Sequence, residues 1–153
     1  SKSHTIYGLR TGALVSMHPE KEVTDRLDTV MCVTARQTWS ATPRVSQYCV
    51  SEMHSSEEGG QAWAKERDRL KKLLDDRRNT LISECEKLGV PLNPTMDGFF
   101  AWLEADDPSD IAHKCAENGV FLVPLTGGGR IGLCALPLDE VSKGAEALSK
   151  ALS

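Results

Sequence analysis

Two basic residues near the start of the sequence, Lys2 and Arg10, have the chemistry needed to hold a carbonyl cofactor that carries a phosphate. A lysine removed from water has a lowered pKa, and its neutral amine is then a nucleophile toward a carbonyl group. An arginine supplies a permanently charged fork of donors for the phosphate. A solvated terminal lysine is the other interpretation of Lys2, and this pair alone does not decide between them.

Arg36 is a candidate for carboxylate binding, since it opens a pattern that continues through Trp39 and Ser40 to Pro43. A planar guanidinium group can bind both oxygens of a carboxylate and so fix its orientation. The alternative is structural, because an arginine in the last turn of a helix interacts favourably with the helix dipole.

Arg130 is a second candidate, since it follows three glycines at 127–129 and opens an apolar stretch that ends at Leu136. Glycines allow a ligand to approach the backbone closely. A flexible hairpin is the structural alternative. A phosphate-binding loop is excluded, because no Gly-Lys-Ser/Thr follows and the glycines lead into a predicted strand rather than a helix.

Together these segments resemble the fold type I pyridoxal-phosphate enzymes, the aspartate and aromatic amino-acid aminotransferases in particular. That family has a tyrosine five residues after its cofactor lysine and an arginine eight residues after it, and Tyr7 and Arg10 stand at those positions. The resemblance implies that Lys2 is the catalytic residue, which holds pyridoxal 5'-phosphate through its amine and moves a proton as general acid and base. Arg10 would bind the cofactor phosphate, with Tyr7 nearby.

The same resemblance gives roles to the other candidates. Arg36 would bind the distal carboxylate of a dicarboxylic substrate, and Ser40 would approach the cofactor phosphate of the neighbouring subunit. Arg130 would bind the substrate α-carboxylate. Phe100, in a Gly-Phe-Phe stretch similar to the strand that opens the family's small domain, would lie near the substrate, although core packing is an equal alternative. Ala41 departs from the asparagine that is common in the family.

The resemblance therefore implies an aminotransferase that moves an amino group between an aromatic amino acid or aspartate and 2-oxoglutarate, as a homodimer. It implies a C-terminal part, whose missing N-terminal region would carry the glycine-rich phosphate turn and the groups around the pyridine ring. One alternative is another enzyme of the same fold, a carbon–sulfur lyase or a decarboxylase. The other is the aminotransferase-like ligand-binding part of a transcription regulator.

The composition fits a soluble globular protein: 153 residues, of which 40% are hydrophobic and 26% charged. A net charge of −4 argues against nucleic acid as a partner. No apolar run is long enough to span a membrane, and no signal peptide is recognised. Five scattered cysteines predict reduced thiols in a cytoplasmic protein, and no metal site is expected. The four histidines are far apart in sequence, and only His4, next but one to Lys2, stands out.

The spacing of apolar residues predicts the elements that position these candidates. Residues 1–17 predict a loop and a short buried strand over 11–17. The basic run 65–78 is interleaved with acids, which indicates a solvated, salt-bridged helix surface. Helices are predicted at 19–37, 45–53, 61–88, 107–118 and 138–152, and strands at 98–104, 120–125 and 130–136.

The predicted fold class is α/β, as the C-terminal part of a fold type I pyridoxal-phosphate-dependent transferase. Residues 1–55 would end the large cofactor-binding domain, and residues 56–153 would form an α+β small domain entered through a long helix. The long helix followed by strand, helix, two strands and helix is the order that the resemblance implies for that small domain.

Overall fold

A computed structural model describes residues 3–93 and 95–153, so that Lys2 lies outside the described residues. The chain divides into two compact units, residues 1–67 and 68–153. The division falls within the longest helix. The predicted domain boundary between residues 55 and 56 stays a prediction.

Helices build the first unit. The two helices predicted at 19–37 and 45–53 are confirmed to within two residues at each end. A charged residue in the last turn of the first of them, Arg36, complements the helix dipole. The elements are a 3₁₀ turn, Tyr7–Leu9, and the helices α1, Lys21–Thr38, and α2, Arg44–Met53, followed by the start of α3, Glu57–Lys87.

Helix α3 begins four residues earlier than predicted. The hydroxyl of Ser56 accepts a hydrogen bond from the N–H of Gly59 at 3.1 Å, and this cap starts the helix before its two glycines. The polar stretch 54–60 therefore marks a helix start rather than an extended break. At the other end Gly89, with φ +70°, closes the helix as predicted.

The strand predicted at 11–17 is wrong. Residues 11–18 have no regular structure, and the side chains of Leu14, Val15 and Met17 are 80%, 74% and 89% exposed. A strand needs neighbours to pair its backbone groups, and the described residues of this unit contain no other strand. An apolar run alone does not supply that partner.

The second unit is a four-stranded antiparallel sheet with helices. The strand order is β1-β2-β4-β3, and after the long helix the chain runs through strand, helix, two strands and helix as predicted, with the two-residue β1 as an addition. Asp107 caps α4 by accepting a hydrogen bond from the N–H of Asp110. The elements are β1, Leu92–Asn93; β2, Phe100–Glu104; α4, Pro108–Glu117; β3, Val123–Leu125; β4, Gly128–Gly132; and α5, Val141–Leu152.

One hydrophobic core holds this unit together. Helices α3, α4 and α5 all contribute to it, which places them against the same face of the sheet. Burial of such side chains stabilises a domain by about 1.5–3 kcal/mol each relative to exposure. The core residues are Leu81, Cys85, Val90, Ala101, Leu103, Ile111, Cys115, Leu122, Ile131, Leu133, Val141, Ala145, Leu148 and Ala151.

Strand β4 occupies 128–132 rather than the predicted 130–136, so Arg130 lies at its centre and not at its start. The tight turn at Thr126–Gly127, with Gly127 at φ +85°, pairs Leu125 with Gly128 and starts the strand at the glycines. After Gly132 the chain turns into a 3₁₀ helix, which ends the strand early. Strand β3 is likewise shorter than predicted.

Candidate functional site

The guanidinium group of Arg130 lies over the ring of Phe100, 4.4 Å from the ring centroid. The sheet register explains the contact. Trp102 pairs with Arg130, and Phe100 pairs with Gly132, so Phe100 is the diagonal neighbour of Arg130 on the same face. A cation is attracted to the negative face of an aromatic ring. Two residues predicted at the substrate from separate segments thus meet in the fold.

Alternation along β2 separates this face from the core. Ala101 and Leu103 are buried in the core, whereas Phe100 and Trp102 are half-buried on the opposite face with Arg130. Apolar neighbours exclude water, and a hydrogen bond between a guanidinium group and a carboxylate is stronger in such surroundings. Trp102 was missed as a site residue, although the period-two pattern of the strand places it beside Arg130.

Arg78 of α3 contacts the backbone just before β2. It donates a hydrogen bond to the carbonyl of Gly98 and pairs with Asp75 at 2.9 Å. Its side chain is only 4% exposed. The prediction of a fully solvated basic surface is therefore wrong at this residue, because a carboxylate and a carbonyl compensate the buried charge.

Arg77, the preceding residue, contacts the backbone just after β4. Its Nη1 donates to the carbonyls of Leu133 and Cys134 at 3.2 and 3.0 Å. Because Phe100 and Gly132 pair at this end of the sheet, both arginines act where Phe100 enters its strand. The rest of the basic run behaves as predicted: Lys71 pairs with Asp75 and Lys72 with Asp76, at 2.7 and 2.8 Å. The hydrogen bond from Lys71, with a contribution from Arg78, holds the pKa of Asp75 below its usual value.

In the first unit, Arg36 and Ser40 also come together. Nη1 of Arg36 donates to Oγ of Ser40 at 2.9 Å. Ser40 ends α1 in the left-handed conformation, φ +68°, and its N–H bonds to the carbonyl of Ala35 at 2.9 Å. The hydroxyl of Ser40 accepts from Arg36, which leaves its own hydrogen to be donated to an anion.

Arg10 and Tyr7 share one turn. Nη1 of Arg10 donates to the carbonyl of Tyr7 at 3.1 Å, and the backbone of Arg10 is left-handed at φ +54°. The next residue, Thr11, donates a hydrogen bond to the hydroxyl of Ser46. Ser46 is fully buried, and its hydroxyl donates in turn to the carbonyl of Pro43 at 3.0 Å. The exposed guanidinium group of Arg10 therefore stands on a fixed backbone.

Two histidines that are remote in sequence are neighbours in the structure. Nε2 of His4 lies 3.0 Å from Nε2 of His54. Sequence spacing could not have shown a contact between residues fifty positions apart.

Across residues 3–93 and 95–153, no helix combines the length and the hydropathy that a membrane crossing needs. All five cysteines are free thiols.

Comparison with known proteins decides the family. Residues 1–148 match the family model of aminotransferase class I and II. The chain belongs to this family. Class I and II aminotransferases depend on pyridoxal phosphate. The fold class predicted from the sequence is confirmed as well, by the match to part of fold type I aminotransferase structures.

Solved structures agree with that assignment. An aminotransferase from Anaerococcus prevotii has a TM-score of 0.85 and 25% identity, over 96% of this chain and 36% of that one. A Thermus thermophilus aspartate aminotransferase mutant has a TM-score of 0.63 at 20% identity, over 78% of this chain and 34% of that one. The aromatic aminotransferase from Pyrococcus horikoshii has a TM-score of 0.58 at 18% identity, over 76% and 33%.

The last two likenesses show the fold alone. The chain spans about a third of the length of these structures and matches their C-terminal third. No curated protein matches the chain.

Two described residues carry donors of the kind from which a phosphate group accepts hydrogen bonds. Arg10 offers an exposed cationic fork, and Ser40 offers a hydroxyl whose oxygen already accepts from Arg36. Phosphate oxygens accept hydrogen bonds from both kinds of group. This donor set is the reason to assign a cofactor role to these side chains.

Proposed function

We propose that this chain supplies the carboxylate-binding and phosphate-binding residues of an aminotransferase that moves an amino group between an aromatic amino acid or aspartate and 2-oxoglutarate. The observation that carries the proposal is the contact of Arg130 with Phe100 on a half-buried sheet face. A guanidinium group held by an aromatic ring keeps its orientation while its N–H groups receive a carboxylate.

Four residues have proposed roles toward pyridoxal 5'-phosphate. Lys2 would hold the cofactor and, once released, would act as general base and acid, moving a proton between the substrate α-carbon and the exocyclic carbon of the cofactor. Arg10 binds the phosphate, Tyr7 stands in the same turn as Arg10, and Ser40 approaches the cofactor phosphate of the neighbouring subunit. When bound, the cofactor supplies the electron sink that stabilises negative charge at the α-carbon.

Arg36 has the proposed role of selecting a second carboxylate. Arg130 meets the α-carboxylate that every substrate has, whereas Arg36 meets only a distal one. Its hydrogen bond to Ser40 links substrate selection to the proposed phosphate site. A site built for a charge rejects a substrate that leaves the charge unpaired.

We also propose a homodimer in the cytoplasm, completed by the rest of the enzyme. Free thiols support a reducing compartment. Large apolar side chains on the first unit support a partner surface, with Val30, Trp39, Val45 and Tyr48 more than 60% exposed.

The test uses the intact protein that carries this chain, loaded with pyridoxal phosphate. Arg130→Ala should lower kcat/KM for all substrates. The loss of transition-state binding free energy should be about 2–5 kcal/mol, because a desolvated charge pair is broken. Arg36→Leu should lower kcat/KM for aspartate and 2-oxoglutarate while sparing aromatic amino acids. Arg26→Leu, a change of an exposed arginine on the same helix, is the matched control.

Lys2→Ala should abolish turnover. A dicarboxylic-to-aromatic ratio that does not fall in Arg36→Leu would show that Arg36 is structural. If the pyridoxamine form releases no amino acid from 2-oxoglutarate in a single turnover, the reaction is of another class, such as carbon–sulfur cleavage or decarboxylation.

A further inference from the structure

His4 and His54 form a compact group with Trp63 in the first unit. The two Nε2 atoms lie 3.0 Å apart, and the indole ring lies 4.9 Å from the His4 ring and 5.2 Å from the His54 ring, between centroids. Two neutral imidazoles at this distance share one proton, with one ring as donor and the other as acceptor. In that state only the acceptor has a lone pair at Nε2. Once the shared proton moves to Nδ1 of the donor ring, the lone pairs of both Nε2 atoms face the same small volume.

A neighbouring hydroxyl fixes the orientation of the first ring. Oγ of Ser3 lies 3.2 Å from Nδ1 of His4. When Nδ1–H donates to this oxygen, the proton is off Nε2 and the lone pair there is available. Histidines that bind metals are oriented in the same way by a hydrogen bond at their other nitrogen.

We propose that Nε2 of His4 and Nε2 of His54 together bind a divalent transition-metal ion of the zinc or nickel type. Zinc–nitrogen distances of about 2.0–2.1 Å in tetrahedral geometry separate two ligand nitrogens by about 3.3 Å. The pair has to open by only a few tenths of an ångström. Imidazole is a ligand that these ions prefer.

The rest of the coordination sphere is water. Among residues 3–93 and 95–153, no three histidine, cysteine or acidic side chains converge as metal ligands. The guanidinium group of Arg67 lies over Trp63 at 4.9 Å, and its charge opposes a nearby dication. The affinity is therefore well below that of structural zinc sites, whose binding free energies are about 10–16 kcal/mol.

A bound ion would tie the start of the chain to the turn between α2 and α3. His4 is next but one to Lys2, so the ion would act on the backbone beside the proposed cofactor lysine. The site itself depends only on the two imidazoles and is independent of the proposed aminotransferase activity.

The experiment is a titration of the 153-residue chain with zinc chloride, followed by NMR of the imidazole carbon and proton resonances. The rings of His4 and His54 should shift together with one apparent Kd, while those of His18 and His113 stay unchanged. His4→Ala and His54→Ala should each weaken the binding at the remaining ring by at least about tenfold, since the second ligand's effective concentration is lost.

His18→Ala is the matched control and should leave the titration unaltered. Each variant's backbone spectrum reports whether it is folded. The proposal is overturned if the two rings shift at different zinc concentrations, or if either ring binds equally well without the other. It is also overturned if zinc goes to the exposed cysteines and leaves both rings unshifted.

Discussion

At the scale of single residues, Arg78 shows how a charge can be buried at acceptable cost. Its Nη atoms meet the Asp75 carboxylate and the Gly98 carbonyl, while its Nε has no hydrogen-bond partner. Without Arg78 the Gly98 carbonyl would lose this donor, whereas Asp75 would keep Lys71 as its partner at 2.7 Å. Arg78 therefore contributes to stability chiefly by supplying hydrogen-bond donors to its partners.

Arg78→Met should lower the free energy of unfolding of the chain by about 1–3 kcal/mol at pH 7, because the Gly98 carbonyl loses its donor. Lys72→Met is the control, and it should leave the free energy of unfolding nearly unchanged, because the pair of Lys72 with Asp76 is exposed to solvent. Urea denaturation at several pH values measures both.

The pH dependence of this loss has a definite sign. The folded-state pKa of Asp75 is lowered, so its contribution is present above the unfolded pKa, near 3.9, and is lost as pH falls through the lower folded value. Lys71, the largest cause of this shift, stays in the variant, so only the part of the difference between wild type and Arg78→Met that comes from the Arg78–Asp75 pair should shrink below about pH 4. A difference of equal size at pH 7 and pH 3 would contradict the ion-pair account.

At the scale of elements, helices were predictable and strand limits were not. The spacing within α1 and the acids at its start contain local information, and the Asp107 cap of α4 is a local signal too. The limits of β4 depend on β2 and β3, which pair with it from distant parts of the sequence. Residues 11–17 are apolar like a buried strand but form no strand, because a strand must pair with a segment that the local sequence does not specify.

Gly128 illustrates the non-local constraint. A Cβ atom there would fall inside contact distance of the Leu103 carbonyl oxygen and 2.7 Å from the Trp102 ring. Gly128→Ala should therefore cost about 1–3 kcal/mol or more through overpacking between β2 and β4. Gly132 ends the same strand, and a Cβ there would meet nothing within 4 Å.

Gly132→Ala is thus the matched control, with an expected change within about 0.5 kcal/mol. Urea midpoints of the two variants and the parent chain make the comparison. Equal midpoints for the two variants would mean that the Leu103 backbone and the Trp102 ring both move aside without cost. The tightness at Gly128 would then not explain why glycine occupies the strand.

At the scale of the whole molecule, the sequence predicted the order of elements. The family resemblance gave Phe100 and Arg130 separate substrate roles, which stay predictions, and their contact is seen only in the structure. The pairing of His4 with His54 and the burial of Arg78 could not be read in the same way. Each depends on packing between elements that have no fixed sequence separation.

The two units differ in how they are stabilised. The hydrophobic core lies entirely in residues 68–153, whereas among the described residues of the first unit only Ser46 is buried. Amides and thiols within a core become accessible mainly by global opening, and those outside it by local motion. Some of the cysteines lie within this core and others lie outside it.

Thiol labelling of the native chain at pH 8 should separate the five cysteines by location. Cys32 and Cys134 are exposed and should react first, and the half-buried Cys49 more slowly. Burial, aided by the nearby charge of Glu84, raises the pKa of Cys85 to about 11, so only about one molecule in a thousand carries the thiolate at pH 8.

Burial also raises the pKa of Cys115, the fifth thiol, which lies in the same core. Labelling of Cys85 and Cys115 should therefore require unfolding, and its dependence on urea should follow the global transition for both. Mass spectrometry of digested samples gives the rate at each site. If Cys115 reacted in native buffer as fast as Cys134, the core of the second unit would be opening locally, and residues 68–153 would not unfold as one cooperative unit.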